Sequence, residues 1–245
     1  MIHGMLAVYS REMMILRRRL TRQIPSWSVS PLLYLVAFGY AMGRHVAVDG
    51  HTYMEFLIPG LVAMASMVQA YGISSEINIA RFYWHIFEEI QAAPVSDTAY
   101  VAGEVLAGMT RAFLSVCIIL VFGFLFGVKQ SYPPLFFVAI LMNSFVFASL
   151  AVAMAMLVKS HADQILVSNF VITPMAFLGG TFFPLHSLPV WAQKALYFLP
   201  LTHASKAIRA ASYGQTPQAV SFAVLAGTGL VFFTLAVFFV SKAKD

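Results

Sequence analysis

Apolar residues run along the chain in long blocks rather than in strict alternation. Six blocks, at about 26–43, 55–76, 98–127, 135–157, 164–184 and 219–241, have about the length of helices that cross a hydrocarbon core of ~30 Å. Polar pieces or pieces bearing Gly and Pro separate them, among them "RHVAVDGHTY", "KQSYPP" and "KSHAD". The roughly ten-residue alternation of an outer-membrane barrel is absent. The pattern predicts an all-α membrane protein of six transmembrane helices, with 1–245 as one domain. The block at 98–127 is long enough that its first turns fall outside the hydrocarbon.

Two stretches carry a helical stripe instead of a continuous apolar run. In 2–24, Ile2, Met5, Leu6, Tyr9, Met13, Leu16 and Leu20 recur every three or four positions, with Arg11, Arg17, Arg18 and Arg22 between them. That is a basic amphipathic helix of the membrane interface, and Pro25 is expected to end it. In 78–90, a turn of about 100° per residue puts Ile79, Phe82, Tyr83, Ile86 and Ile90 on one side. Asn78, Arg81, His85, Glu88 and Glu89 fall on the other, with Glu88 near the polar centre and Pro94 limiting the helix. A solvated linker needs no such aromatic-rich stripe, so the segment reads as an element that docks a partner.

The region after the fifth block is broken by Pro174, Gly179, Gly180, Pro184, Pro189 and Pro200, and an amphipathic piece from Trp191 to Phe198 follows. Irregular backbone at membrane depth is tolerated where protein or a wet cavity covers it. The tip is therefore expected to dip back into the outer leaflet; the alternative is a surface loop with interfacial aromatics.

Composition sharpens the class. The chain is 60% hydrophobic and 10% charged, where a soluble domain carries roughly a quarter charged residues. The net charge of +5 sits outside the blocks, which points to topology and anionic lipid rather than nucleic acid. With the N-terminus inside, Arg11, Arg17, Arg18, Arg19, Arg22, Arg81, Lys159, Lys242 and Lys244 are internal. Arg44, Lys129, Lys194, Lys206 and Arg209 are external, and this bias predicts both termini cytoplasmic. "RRRL" before an apolar stretch has the look of a secretion signal, but no small-residue cleavage site follows, so it reads as the flank of an uncleaved first span. The single cysteine, Cys117, forms no intrachain disulfide.

Motifs for chemistry are missing. There is no G-x-x-x-x-G-K-[ST] phosphate loop, no H-E-x-x-H and no G-x-S-x-G. The seven histidines form no metal-ligand pair at helical spacing, and His45 and His51 merely share a loop. Glu104 and Arg111 are ionisable residues inside the third block, seven positions apart on one helix face. They either line a transport pathway or pair with polar neighbours near the cytoplasmic end. Gly39/Gly43 and Gly123/Gly127 have GxxxG spacing, which permits close helix contact and is weak evidence for a dimer.

Three stretches carry a resemblance: "YMEFLIPGLVAMASMVQAYG", "FEEIQAAPVSDTAYVAGEVLAG" and "FLGGTFFPLHSLPVWAQKALYFLPLTHASKAIRA". In order and spacing they resemble the transmembrane subunits of ABC-2 type transporters, above all bacterial permeases related to nodulation-factor, capsule and drug-resistance exporters. The most specific pieces are Pro59-Gly60, Glu88/Glu89 with Pro94 and Gly103, and Gly179-Gly180 with Leu188, Pro189, Pro200 and Arg209.

The resemblance implies a half-transporter of the bacterial inner membrane. Two copies form the pathway, and separate ABC ATPase subunits, which hold ATP and Mg, grip a coupling helix in the first cytoplasmic loop. Arg81, His85, Glu88, Glu89 and Pro94 are then the ATPase-coupling residues. Glu104, Arg111, Gly179, Gly180 and Phe183 are pathway or gating candidates. No catalytic, cofactor or metal site is expected on this chain, and the substrate does not follow. The alternative is an ion-coupled secondary transporter using Glu104 and Arg111.

Overall fold

In the computed structural model, residues 1–42, 47–48, 50–128 and 130–243 are described. Gly43, Arg44, His45, Lys129 and Lys244, which enter the spacing and charge readings above, lie outside the described residues. The elements in chain order begin with helix α1 (Ile2–Met42) and a two-residue hairpin of β1 (Ala47–Val48) and β2 (His51–Thr52). Helices α2 (Tyr53–Tyr71), α3 (Ile73–Phe82), α4 (Ile86–Ala92), α5 (Asp97–Leu125) and α6 (Pro134–Leu157) follow. The last are α7 (His161–Val167), α8 (Thr173–Leu178), α9 (Val190–Tyr197), α10 (Pro200–Ser212) and α11 (Ala219–Lys242).

Among the described residues, four units are long and apolar enough to cross a bilayer: α2 with α3, α5, α6 and α11. Their burial differs, and that sets the layout. In α2–α3, 83% of the most apolar stretch is buried, against 22% in α11. So α2–α3 is the central post, α5 and α6 pack on it, and α11 stands at the rim with Leu230, Val231 and Phe238 facing outward. Buried amides fix these contacts. Asn143 on α6 donates to Ala63 O (3.1 Å) and to Ser66 Oγ (2.8 Å) on α2. Gln164 on α7 donates to Tyr71 Oη (2.8 Å) and Ser74 Oγ (2.9 Å), and accepts from Asn78 Nδ2 (3.1 Å).

α1 differs from the two-part expectation. It runs as one helix through Pro25 and Pro31. At ~1.5 Å per residue its 41 residues reach roughly 60 Å, about twice the hydrocarbon thickness, so half of it still lies beyond the core. Proline removes one backbone N–H and does not by itself stop a helix whose freed carbonyl meets solvent. Ile24, Pro25 and Ser26 are exposed, and Ser28 Oγ donates to Ile24 O at 2.7 Å.

The fifth apolar block is α7 and α8 joined by one wide, π-type turn over Ser168–Ile172. Pro174 has no N–H to offer to the turn below, and the loosened turn lies immediately before it. The chain then reverses at Gly180 (φ +85°) and re-enters as the short helices α9 and α10. α10 is buried from Pro200 through Ser205 and packs on α2 and α6, whereas α9 is largely exposed, with Trp191 and Phe198 outward.

Of the glycines with GxxxG spacing, Gly39 and Gly123 serve contacts within the chain. A Cβ on Gly39 would meet Met54 Sδ at 2.5 Å, and one on Gly123 would meet Ile58 Cδ1 at 3.1 Å, so both glycines admit α2. Gly127 has φ +75° and belongs to the turn that ends α5.

Candidate functional site

The amphipathic segment at 78–90 is not one helix. α3 continues the central post, and the chain reverses at His85, which takes the left-handed conformation (φ +53°) before α4 starts. That break separates residues a single helical wheel had grouped. Asn78 is fully buried against Gln164. Arg81 donates to Ala155 O (3.2 Å) and Met156 O (2.9 Å), where it satisfies carbonyls at the end of α6. Tyr83, from the expected apolar side, is 66% exposed.

What remains facing outward is compact. His85 and Glu88 form an exposed pair at 3.3 Å, Glu89 stands beside them, and Pro94 is exposed in the link to α5. The anchor under this face is Phe87, 6% exposed, edge-on to Tyr100 at 5.6 Å with the Arg81 guanidinium 5.8 Å from its ring. Phe87 was not on the predicted stripe, because the break at His85 shifts the phase of α4. It ties α4 to α3 and α5 together. Phe87→Ala should loosen α4 alone, at a cost toward the low end of the ~3–5 kcal/mol seen for buried Phe→Ala. Hydrogen exchange over residues 83–96 should rise sharply while exchange in α6 stays unchanged; uniform protection in both would refute the anchor.

Behind α4, six charges gather where α1, α3 and α5 meet. Arg11 lies 3.0 Å from Glu12 and 4.0 Å from Glu104. Glu76 lies 3.0 Å from Arg19 and 3.4 Å from Arg111. Three arginines balance three carboxylates, and Glu12, Glu104 and Arg111 are each under a tenth exposed. Glu104 and Arg111 share a face of α5 but pair with different residues, and Arg111 also lies 5.9 Å from the Trp27 ring. Gly103 makes the approach of α1 possible: a Cβ there would lie 2.7 Å from Val8 Cβ and 2.9 Å from Met5 O. Nothing local marks Glu12 or Glu76 as members of this cluster: Glu12 lies in the amphipathic start and Glu76 at the end of the second apolar block.

At the opposite end, the Pro59-Gly60 and Gly179-Gly180 motifs meet. A Cβ on Gly60 would collide with the Thr181 carbonyl oxygen, so the tip rests directly on α2. Pro59 leaves the Glu55 carbonyl without its helical donor, and Gln130 Nε2 donates to it at 2.6 Å. Tyr53 Oη donates to Phe182 O (2.8 Å), Ser205 Oγ to Gly179 O (2.7 Å) and Arg209 to Gly180 O (2.8 Å). Phe183 is half-buried against the core. Its neighbour Phe182 makes the aromatic contacts, at 5.0 Å to Tyr34, 5.3 Å to Phe38 and 5.2 Å to Phe177.

Residues 4–213 match the family described as ABC-2 type transporter. The chain is 29% identical over 213 residues to the inner membrane transport permease YadH of Escherichia coli (strain K12), covering 80% of this chain and 78% of that protein. It is 28% identical over 240 residues to nodulation protein J of Sinorhizobium fredii (strain NBRC 101917 / NGR234), covering 96% and 90%. It is 30% identical over 207 residues to nodulation protein J of Rhizobium meliloti (strain 1021), covering 83% and 79%.

Proposed function

The chain belongs to the ABC-2 type transporter family, and on that premise we propose that it is the membrane-spanning permease subunit of an ATP-driven exporter. It works as a dimer and couples to separate ABC ATPase subunits that carry ATP and Mg. In this reading α1 and the α7–α8 segment complete six spans in a bacterial inner membrane, with both termini and α4 on the cytoplasmic side. The relatives named as inner membrane transport permeases support the compartment.

The observation that carries the reading is α4 itself: an exposed acidic face on a short helix held from below by Phe87. A short helix with one buried ring and one free face is built to be gripped. Force applied to it reaches α3 and α5 through Phe87, Tyr100 and Arg81. The charge cluster then carries it into α1, since Arg11 and Arg19 hold α1 to carboxylates on α5 and α3. Glu104 and Arg111 act in this scheme as parts of a strut. Gly179 and Gly180 set the tip that closes the far end, with Phe182 and Phe183 beside it. The apolar outer faces of α1 and of α7–α8, including Leu33, Phe170 and Phe177, supply the surface for a second copy.

The test is co-purification with the ATPase, membrane level and transport for Glu88→Ala, Glu89→Ala and the double variant. Membrane level should stay normal, because these side chains pack against nothing in the bundle. Association should weaken by roughly 1.5–3 kcal/mol if docking desolvates one charge-assisted hydrogen bond. Normal association and transport in all three variants would remove the acids from the coupling surface.

A further inference from the structure

Two adjoining cavities lie where α9, α10 and the Pro184–Leu188 turn meet. The first, about 620 Å³, is polar and basic: His51, His186, Gln193, Lys206, Arg209 and Gln218 line it. The second, about 490 Å³, is lined mainly by Leu185, Val190, Tyr197 and Phe198, with Lys194 at its edge. Leu185, Gln193 and Lys206 belong to both, so a single elongated molecule can occupy the two together. Among the described residues no Asp or Glu lines either cavity. Among the described residues the nearby carboxylate is Glu55, which sits 3.8 Å from His51 and lines a smaller space next door.

The basic wall is held in place. Arg209 donates to Gly180 O (2.8 Å) and Phe56 O (3.4 Å) and lies 3.9 Å from the Phe56 ring. Lys206 stands at the seam, 5.4 Å from the Tyr197 ring, and Gln193 clamps the turn by donating to Leu188 O at 2.8 Å. Trp191 (74% exposed) and Phe198 (83% exposed) lie on the adjoining helix, which suits the depth of lipid headgroups. A basic polar chamber opening onto an apolar groove at that depth matches an anionic amphiphile. It mismatches a neutral or zwitterionic headgroup, whose cationic end would face Lys206 and Arg209.

We propose that the paired cavities bind one acidic phospholipid of the surrounding bilayer, with its phosphate among Lys206, Arg209 and the two histidines and one acyl chain along the α9–α10 groove. The lipid braces α9, which packs mainly on α10, against the rest of the tip. This inference needs the chain to be embedded in a membrane and is independent of the ATPase reading.

The delipidated chain in mild detergent is titrated with dioleoyl phosphatidylglycerol and, separately, with dioleoyl phosphatidylcholine, and bound lipids are counted by native mass spectrometry. The first phosphatidylglycerol should bind about fivefold more tightly than phosphatidylcholine, the scale of one partly solvated charge pair. Lys206→Gln with His186→Gln should erase that preference; both side chains are exposed, so the fold is unaffected. Val190→Asp should weaken the first adduct of both lipids. Equal binding of the two lipids in the native chain, or a preference untouched in the Lys206/His186 variant, overturns the proposal. Displacement of the first lipid by glycerol 3-phosphate at comparable concentration also overturns it, because the site would then take a soluble phosphate.

Discussion

Arg111→Leu should strip most folded chain from the membrane, while Glu104→Gln should leave it there. Arg111 is 8% exposed and lies 3.4 Å from Glu76, with Arg19 as that carboxylate's other partner. Arg19 is 42% exposed, so it is a weaker, more solvated counter-charge. Removing one side of a buried pair costs about 3–5 kcal/mol, because the other charge stays behind uncompensated. Glu76→Gln in the Arg111→Leu background should recover part of the loss. Glu104 is held differently. Among the described residues its one ion pair is with Arg11 at 4.0 Å, and its Oε2 is buried with no hydrogen-bond partner. Replacing that carboxylate with an amide of similar shape removes a poorly paired charge and should cost little. The readouts are membrane level, thermal unfolding in detergent and transport. They also separate a strut from an ion-coupled relay, for which Glu104→Gln would abolish transport in a well-folded protein. Retained transport in Glu104→Gln together with unfolding in Arg111→Leu is the expected pair of results.

Gly60→Ala should be as damaging as any single methyl group in this chain. The added Cβ would collide with the Thr181 carbonyl oxygen and come within 3.0 Å of Thr181 Cα. Backbone cannot rotate away as a flexible side chain does, so the Gly179–Phe182 turn must lift off α2. Lifting it strains the bonds from Tyr53 to Phe182 O and from Arg209 to Gly180 O. Overpacking commonly costs about 1–3 kcal/mol, and a clash with backbone belongs at or above the top of that range. Gly227→Ala is the control. It lies in α11, and a Cβ there meets nothing within 4 Å, so the change should be neutral or stabilise by roughly 0.5–1 kcal/mol. Equal thermal midpoints for the two variants would contradict the close approach of the tip to α2.

Several features were legible from sequence because they are local. A run of apolar residues must be a helix when lipid offers its backbone no hydrogen bonds, and that locates α2–α3, α5, α6 and α11. Proline and glycine act on their own backbone, so the break at Gly179-Gly180 and the amphipathic piece that becomes α9 could be placed, whereas α10 was not among the expected elements. The exposure of His85, Glu88 and Glu89 also followed, since a charged patch near a span has few places to go. The site's framework was harder. Nothing in "FYWHI" marks the reversal at His85: no Gly or Pro stands there, and the left-handed backbone goes with Phe87 packing two residues on beside Tyr100. Arg81 looked like one more cytoplasmic charge until α6 ended beneath it.

What the sequence determined by itself is the apolar runs that become α2–α3, α5, α6 and α11, the backbone break at Gly179-Gly180 and the lack of a phosphate-loop motif. Each follows from how a few neighbouring residues meet lipid, water or their own backbone. What only the tertiary structure decided is which distant residues complete one another. Arg111 meets Glu76, Arg11 meets Glu104, Gly60 receives Thr181, and Gln130 serves the carbonyl that Pro59 strands. The physical reason is that a buried charge or an unpaired carbonyl requires some partner, but its own neighbourhood does not say which. The partner is chosen by how the helices pack, at separations of tens to more than a hundred residues along the chain, where a local pattern carries no signal.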